Sequence, residues 1–554
     1  MQRSLRLPYG TVLYFLAICA SYALAKDLYT TQPSSCLFRD LGSSTTCVPD
    51  SYRLSQDTQT VFESTSLELE FKLEERISLP VDNSTKSFWL DTPGANPLAE
   101  AGSEGELTED ADVCIVGSGI TGVSTAWHLS KMLNKAGTQE RTRVTILEAR
   151  QFCSGGTGRN GGHLTRNAFL SFLKHQARFN TSEAKKIFAI EQRHVTVFRT
   201  EEEDSNARAD RAAAKEAGLD VNSTWIGNTE LIENYGLNPD LNYTGMFHTG
   251  HNVWPCKLVT QLFKDVQSTS DSVNISLHTK TPVTAITHNT WPSADKDSHF
   301  SIAQHRRWKL HTPRGNIGCS YVVHATNAYA SHLLPFLAGI KESKLTWPSV
   351  SGEEHASQPP YPHPQPSLIS HSRGLHGIVP TRGQVGAVRA NSELNWLNAW
   401  DGGGGWQYWF PRYQDTGREG PSALKNPLVI VGGARHLSGG ELEAGIADDS
   451  NLNPLVSTAL RSLLPRFFPE QFVLPTTNQT SNVQATSSDD GWEMEWSGIM
   501  GFTKDGDPFV GPVQVPQDLR GNSDIRTENY YDGQYIAAGF SGHGMPQFWL
   551  VLES

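Results

Sequence analysis

Gly117-Ser118-Gly119-Ile120-Thr121-Gly122, followed some way on by the acid Glu148, has the spacing G-x-G-x-x-G plus carboxylate that cradles a dinucleotide. Gly117 permits a tight turn, Gly119 lets the backbone approach a pyrophosphate, and Gly122 lets a following helix pack close to its strand. A helix opening at Ile120 and Thr121 turns its N-terminal N–H groups toward the negative charge. Glu148 can accept hydrogen bonds from ribose hydroxyls, and an acid there disfavours a 2′-phosphate, so NADP fits poorly. Ser118 lies within the turn, and Ala149 and Arg150 continue the contact set past Glu148.

These residues need a strand before them, a helix after them and a second strand ending at the acid. Ala111–Val116 is a short apolar run that predicts a buried parallel strand, with Cys114 as a small core hydrophobe. Ile120–Leu133 reads as a helix with apolar Val123, Trp127, Leu129 and Leu133, and Arg143–Glu148 as the second strand. Strand, helix and strand in that order make one βαβ unit of a doubly wound sheet. Further on, Lys-, Glu-, Ala- and Arg-rich residues 168–216 predict helices. Val273–Leu277, Arg307–Leu310 and Tyr321–Ala325 predict strands. Residues 349–373 and the Gly-rich 401–405 read as insertions, and 26–107 as an extension wrapping the surface.

The stretch after Glu148 chooses between dinucleotides. From Cys153 through Gly158-Arg159-Asn160-Gly161-Gly162-His163 the chain is dense in glycine where an NAD fold resumes its alternation. Such a loop can lie flat along an extended cofactor, which favours FAD. Cys153 reads as a packed thiol, and His163 as either a hydrogen-bonding loop residue or a point of covalent flavin attachment.

At these residues the chain resembles the D-amino-acid-oxidase-like family of FAD-dependent oxidoreductases, which includes glycine and sarcosine oxidases. The nearest look is to its γ-glutamylputrescine-oxidoreductase-like branch and to secreted fungal members with the Gly158–Gly162 loop. The resemblance spans roughly residues 80–554. It runs through Trp254-Pro255, Ala325-Thr326-Asn327, Pro380-Thr381-Arg382-Gly383-Gln384, Gly432-Gly433-Ala434-Arg435, Trp496–Gly501, Asp505–Pro508 and Gly539-Phe540-Ser541-Gly542-His543-Gly544. It implies that Ala325, Thr326 and Asn327 end a strand beside FAD. It also implies that Gly539–Gly544 forms a second turn near the pyrimidine end of the flavin, with His543 contacting the flavin or serving the structure. Arg382, His543 and Arg159 are the residues placed nearest catalysis, Arg382 either facing the substrate or fixing its own turn. Two departures matter. The lysine that helps clamp a substrate carboxylate in sarcosine-oxidase-like relatives is replaced by Pro546, and no cysteine follows Cys319 to link flavin covalently. The chain also runs only about ten residues past Gly544, roughly three helical turns, where relatives continue through a full helix.

Composition is consistent with this. The chain has 554 residues and a net charge of −12, with no long basic run to hold nucleic acid or an anionic membrane. Residues 1–25 pair a positive start (Arg3, Arg6) with an apolar stretch closing on Ala23-Leu24-Ala25, which predicts a cleaved signal peptide and no stable membrane span. Sequons at Asn83, Asn180, Asn222, Asn242, Asn274 and Asn478 fit export, and Cys36 and Cys47 flank a loop across which they could pair. No metal is expected.

The expected fold is α/β: a discontinuous Rossmann-like FAD-binding domain (108–165, 252–345 and 490–554) and a substrate domain with a largely antiparallel β-sheet (166–251 and 346–489). The expected reaction is hydride transfer from a C–N bond of an amine or amino-acid-like small molecule to FAD, with O2 as acceptor. A flavin dehydrogenase or tailoring enzyme using another acceptor is the first alternative. A truncated, inactive homologue acting as a secreted binding protein is the second.

Overall fold

The computed structural model describes residues 77–546 apart from 138–140, 165–169, 171, 179–180, 182–192, 220, 290–305, 339–376, 413–425, 440–441, 474–490, 505 and 516–527. In chain order the strands begin with β1 (Asp110–Val116), β2 (Thr142–Leu147), β3 (Arg193–Phe198), β4 (Ser223–Ile226) and β5 (Thr244–Thr249). β6 (Val273–His278), β7 (Ala285–His288), β8 (Trp308–Thr312) and β9 (Gly315–His324) follow. Then come β10 (Ile378–Arg389), β11 (Trp400–Gly402), β12 (Gln407–Pro411) and β13 (Leu428–Gly433). The last are β14 (Trp492–Thr503), β15 (Phe509–Pro512) and β16 (Gln534–Ala538).

The strands form two eight-stranded sheets. The first runs β15-β16-β9-β1-β2-β6, with β8 added to β9 and β7 to β8. Its central pairings, β16–β9, β9–β1, β1–β2 and β2–β6, are parallel. Parallel strands buried on both faces need apolar runs and helical cover. β1 and β2 supply Ile115, Val144 and Ile146, all fully buried. The helices Ile120–Ala136 and Pro255–Thr269 supply the cover through Val123, Leu129 and Leu133 against Val259, Phe263 and Val266.

The second sheet runs β14-β10-β13-β12-β11-β3-β5-β4. Every pairing in it is antiparallel except β11–β3. The helix Pro454–Phe467 covers one face, and Trp396, Trp400 and Trp409 pack there on Phe467 and Phe468. Burying one such ring contributes about 2–3 kcal/mol, and the layer joins buried aliphatic residues such as Val195, Val429 and Leu460 in one core. The α/β class and the largely antiparallel second sheet are as the sequence predicts. The chain past 490 enters on β14, the edge of the second sheet, before β15 and β16 return to the first.

Two sequence expectations change and one is extended. The stretch 168–216 is not all helix: β3 lies between the helices Phe172–Arg178 and Glu201–Glu216. Val195, Thr196 and Val197 are buried between β11 and β5, and sheet pairing overrides the local helix preference. The described part of the extension, mostly exposed or half-buried, is also pinned into the core by Trp89, fully buried among Trp254, Phe410 and Trp496. Cys114 is no free thiol: it is disulfide-bonded to Cys319, joining β1 to β9. Of residues 401–405, Asp401 and Gly402 end β11, and Gly403, Gly404 and Gly405, at φ 62, 64 and 81°, enter the turn of the β11–β12 hairpin. The leader, Cys36, Cys47, residues 349–373 and the residues past 546 lie outside the described residues. No described helix is long and apolar enough to cross a membrane.

The disulfide links positions 205 residues apart, which restrains the unfolded chain by something of order 5 kcal/mol in chain-entropy terms. Peptide mapping without reductant should recover one cross-linked Cys114–Cys319 peptide, and Cys114→Ala should lower the unfolding midpoint. Two separate thiol peptides from the native protein would refute the pairing.

Candidate active site

The turn after β1 is built as its glycines require. Gly117 has φ 110°, and a Cβ there would lie 2.6 Å from the Ala325 carbonyl oxygen. A Cβ on Gly122 would lie 2.0 Å from the Gly117 carbonyl oxygen, so the helix sits on its strand only because that side chain is absent. Gly119 caps the helix Ile120–Ala136 with no side-chain cap of its own. A Cβ on Gly119 would meet only the Thr157 side chain, Oγ1 at 3.0 Å, and that hydroxyl accepts the Ile120 N–H. The first N–H of the helix is therefore held by the Thr157 side chain, which stands beside Gly119.

Glu148 stands one residue past β2, where its carboxylate is fixed from within. Its Oε2 accepts from Ser118 N (2.9 Å) and Ser118 Oγ (2.7 Å), and its Oε1 accepts from Arg150 N (3.0 Å). Ser118 Oγ in turn accepts from Cys153 N at 2.9 Å. The acid and the turn are thus one hydrogen-bonded unit, with half-buried Ala149 as a link between Glu148 and Arg150. Cys153 is fully buried against Cys256, and its thiol is pushed well above the usual range by that contact and by burial. It is a packed thiol.

The glycine loop has a different logic from the one composition suggests. A Cβ on Gly158 would lie 2.3 Å from the Cys153 carbonyl oxygen, and one on Gly161 would strike the Tyr408 ring at 2.2 Å. A Cβ on Gly162 would lie 2.8 Å from the Val253 carbonyl oxygen. Protein atoms therefore account for three of the loop's glycines, while Gly155 has nothing within 4 Å. Trp89 Nε1 donates to Asn160 O (2.7 Å), and Trp496 Nε1 to Arg159 O (2.9 Å). Asn160 Oδ1 accepts from Gly162 N at 2.8 Å. The His163 ring packs edge-on to Tyr408 and Phe410, with centroids at 4.8 and 5.0 Å.

Ala325–Asn327, past the end of β9, meet both turns. Ala325 N donates to Val116 O beside Gly117. Asn327, at φ 45°, accepts from Gly539 N (3.0 Å) and Phe540 N (3.2 Å) through its Oδ1. Asn327 is thus a brace for the second turn. That turn, Gly539–Gly544, is also held by Ser541 N donating to Gly501 O (2.7 Å) and by Thr503 N donating to Ser541 Oγ (3.2 Å). Thr326 Oγ1 is buried with no hydrogen-bond partner among the described residues. The glycine turn ahead of a helix, the space at Gly155 and this unsatisfied hydroxyl fit an extended dinucleotide.

The three residues placed nearest catalysis separate. Arg159 is buried and fully used. Its Nε donates to Ser154 O, its Nη1 to Thr85 O and Ser497 O, and its Nη2 to Ser84 Oγ. It also lies 3.4 Å from Asp449, and burial pushes its pKa down to about 10. A guanidinium so committed holds the loop and is not free for substrate. The Arg150 side chain forms a two-pronged pair with the fully buried Asp449 at 2.9 and 3.1 Å. Arg382 fixes its own turn, its Nε donating to Glu443 Oε2 at 2.6 Å. His543 alone of the three faces solvent, although close protein and then Arg435 hold its pKa below the usual histidine value.

Sequence reasoning missed Asp449 and Tyr408, which lie far along the chain from Arg150 and Gly161 and carry no local motif. It quoted Arg435 without a role. The Arg435 guanidinium lies over the Trp406 ring (4.7 Å) and the Phe502 ring (4.6 Å). Tyr408 is encircled by protein, which raises its phenol pKa. Among the described residues no three His, Cys, Asp or Glu side chains gather as metal ligands.

A family model described as FAD dependent oxidoreductase, DAO, matches residues 112–551. Among solved structures, the chain is similar to glycine oxidase from Geobacillus kaustophilus, at 18% identity over 80% of this chain and 93% of that one, TM-score 0.48. It is similar to L-proline dehydrogenase from P. horikoshii at 17% identity over 81% and 92%, TM-score 0.48. It is also similar to an L-amino acid deaminase from Proteus vulgaris lacking its specific insertion, at 16% identity over 83% and 93%, TM-score 0.47. No curated protein matches.

The two kinds of glycine make opposite predictions. Gly122→Ala puts a methyl against a backbone oxygen and should lower both the unfolding temperature and the flavin bound per chain. Gly155→Ala meets no protein atom, so its unfolding temperature should match wild type. Equal flavin content and stability in both variants would refute the cradle.

Proposed function

The chain belongs to the DAO family of FAD-dependent oxidoreductases, and from that premise we propose that it oxidises the C–N bond of an amine or amino-acid-like small molecule with O2 as acceptor. When bound, FAD accepts the hydride and returns electrons to O2. The chain's own residues bind, orient and exclude water.

The observation that carries this reading is the surround of the second turn. A Cβ built on Gly542 lies 3.4 Å from Met500 Sδ and 3.6 Å from the Phe502 ring, so apolar side chains wall the turn. Tyr408 and His163 pack together on the glycine loop. Arg382 is neutralised by Glu443, and Pro546 is buried where relatives carry a lysine. Such a site suits a substrate amine arriving neutral. The hydride leaves carbon, the amine proton leaves to solvent, and the resulting imine is opened by water to a carbonyl and a free amine. No acid–base side chain is required, and apolar neighbours such as Met500 and Phe502 favour the neutral amine over its ammonium form.

The test is anaerobic titration of the FAD-loaded protein with a panel of primary amines, secondary amines and amino acids. The expected outcome is bleaching of the flavin band by at least one of them, with recovery on admitting air and one hydrogen peroxide per bleached flavin. Recovery with a dye but not with air would make the chain a dehydrogenase. Bleaching by dithionite but by no amine would end the amine reading.

The same proposal sets the chain in the secretory pathway. The leader-like residues 1–25 and the Cys114–Cys319 disulfide support it, as do the exposed sequon residues Asn83, Asn222, Asn242 and Asn274. Asn180 and Asn478 fall outside the described residues. Protein made through its own leader should lose mass on treatment with peptide N-glycosidase; an unchanged mass equal to the full chain would count against export.

A further inference from the structure

Four cysteines lie among the described residues, and they fall into two pairs. Cys114 and Cys319 are bonded, whereas Cys153 and Cys256 meet as thiols in the core of the first sheet, neither with any exposed surface. The segments that carry the second pair are pressed together independently of sulfur. Phe152 packs edge-on against Phe263 of the helix Pro255–Thr269, with ring centroids 5.8 Å apart.

The two thiols have unlike settings. Cys153 is left-handed, at φ 60°, its N–H donates to Ser118 Oγ at 2.9 Å, and Arg150 and Arg159 both donate to the carbonyl of the next residue, Ser154. A left-handed residue with a Cβ is strained, and strain of this kind is kept where geometry serves function. Cys256 is the second residue of its helix, after Pro255, where the N-terminal N–H groups favour a thiolate. Direct contact keeps the proton on Cys153 and draws Cys256 below the usual thiol range. Beside the pair the Ser154 hydroxyl is buried with no hydrogen-bond partner among the described residues, and a Cβ on Gly155 would meet no protein atom within 4 Å. The space assigned to the cofactor thus begins two residues from Cys153.

We propose that Cys153 and Cys256 are a reversible redox site, in which Cys256 attacks hydrogen peroxide and Cys153 closes the disulfide. The Cys256 sulfur takes one peroxide oxygen as the O–O bond breaks, giving a sulfenic acid and water. The Cys153 sulfur then displaces that oxygen as a second water and forms the Sγ–Sγ bond. Two thiols lose two electrons and two protons, and one peroxide becomes two waters. The closed bond ties the Ser118–Glu148 turn, through Cys153, to the helix Pro255–Thr269. Peroxide is the product of the oxidase reading, so the source of the oxidant rests on that reading, while the dithiol itself does not.

The test treats the FAD-loaded protein with a small excess of hydrogen peroxide, denatures it in alkylating reagent and maps its peptides by mass spectrometry without reductant. The tryptic peptide Gln151–Arg159 should be found joined to the peptide that ends at Lys257, and dithiothreitol should return both as thiols. Closure should raise the unfolding midpoint by at least about 5 °C, since the new bond closes a loop of about 100 residues. Cys153→Ala, with flavin content equal to wild type showing that it is folded, should lack that rise and leave Cys256 as a sulfenic acid trapped by dimedone. Two unpaired thiols after peroxide, or Cys256 carried on to the sulfinic acid with Cys153 still reduced, would overturn the assignment. A pair closed by added peroxide but left open during aerobic incubation with every amine of the panel would sink the oxidase reading and leave the redox site standing.

Discussion

The rest of the structure is hung on one buried carboxylate. Asp449 has no exposed surface and faces two guanidiniums, Arg150 at 2.9 Å and Arg159 at 3.4 Å. Both arginines also donate to the Ser154 carbonyl, and Arg150 reaches Val81 O while Arg159 reaches Thr85 O and Ser497 O. Five stretches of chain therefore meet at one charge: the segment near 81–85, the end of β2, the glycine loop, the stretch at Asp449 and β14. These come from both sheets, so this cluster sets how the cofactor half meets the antiparallel half. Removing one member of a buried pair typically costs about 3–5 kcal/mol, because the partner's charge stays buried. The two cations face more than one anion, since Glu148 acts on Arg150 and Asp91 on Arg159 beside Asp449.

What was legible in the sequence was local. β1, its glycine turn, the helix Ile120–Ala136 and β2 lie within 38 residues, from Asp110 to Leu147, and each glycine sits where the backbone demands it. The second turn at Gly539–Gly544 was legible only by resemblance, because nothing near it in sequence names its brace, Asn327, which is 212 positions away. Asp449 was invisible for the same reason: an isolated aspartate in a polar stretch has no periodicity, and its partner Arg150 lies 299 positions earlier. Cys114 was misread because a buried thiol and half of a buried disulfide look alike in an apolar strand.

The glycine loop shows how one composition can have more than one cause. Density of glycine pointed to a cofactor surface, yet Gly158, Gly161 and Gly162 are small because Cys153 O, the Tyr408 ring and Val253 O stand where their side chains would be. Trp89, Trp496 and Phe410 press on the same loop from behind. A loop clamped this tightly on one side offers a rigid face on the other. Pre-organisation of that kind spares binding the cost of ordering the loop, about 1–2 kcal/mol for each residue that would otherwise be free.

The disulfide belongs to the same argument. Cys114 precedes Gly117 by three residues and Cys319 precedes Ala325 by six, so the bond ties the two strands whose ends carry the first turn and the Ala325–Asn327 brace. Asn327 then holds Gly539 and Phe540, and Met545 just beyond packs into the core of the first sheet with Ile115, Ile120 and Cys153. Each contact passes position from one end of the chain to the other. A dinucleotide spanning these segments would bind only the folded arrangement, so its binding free energy would add to fold stability by mass action. Retention of flavin and integrity of the fold are for this chain two readings of one equilibrium.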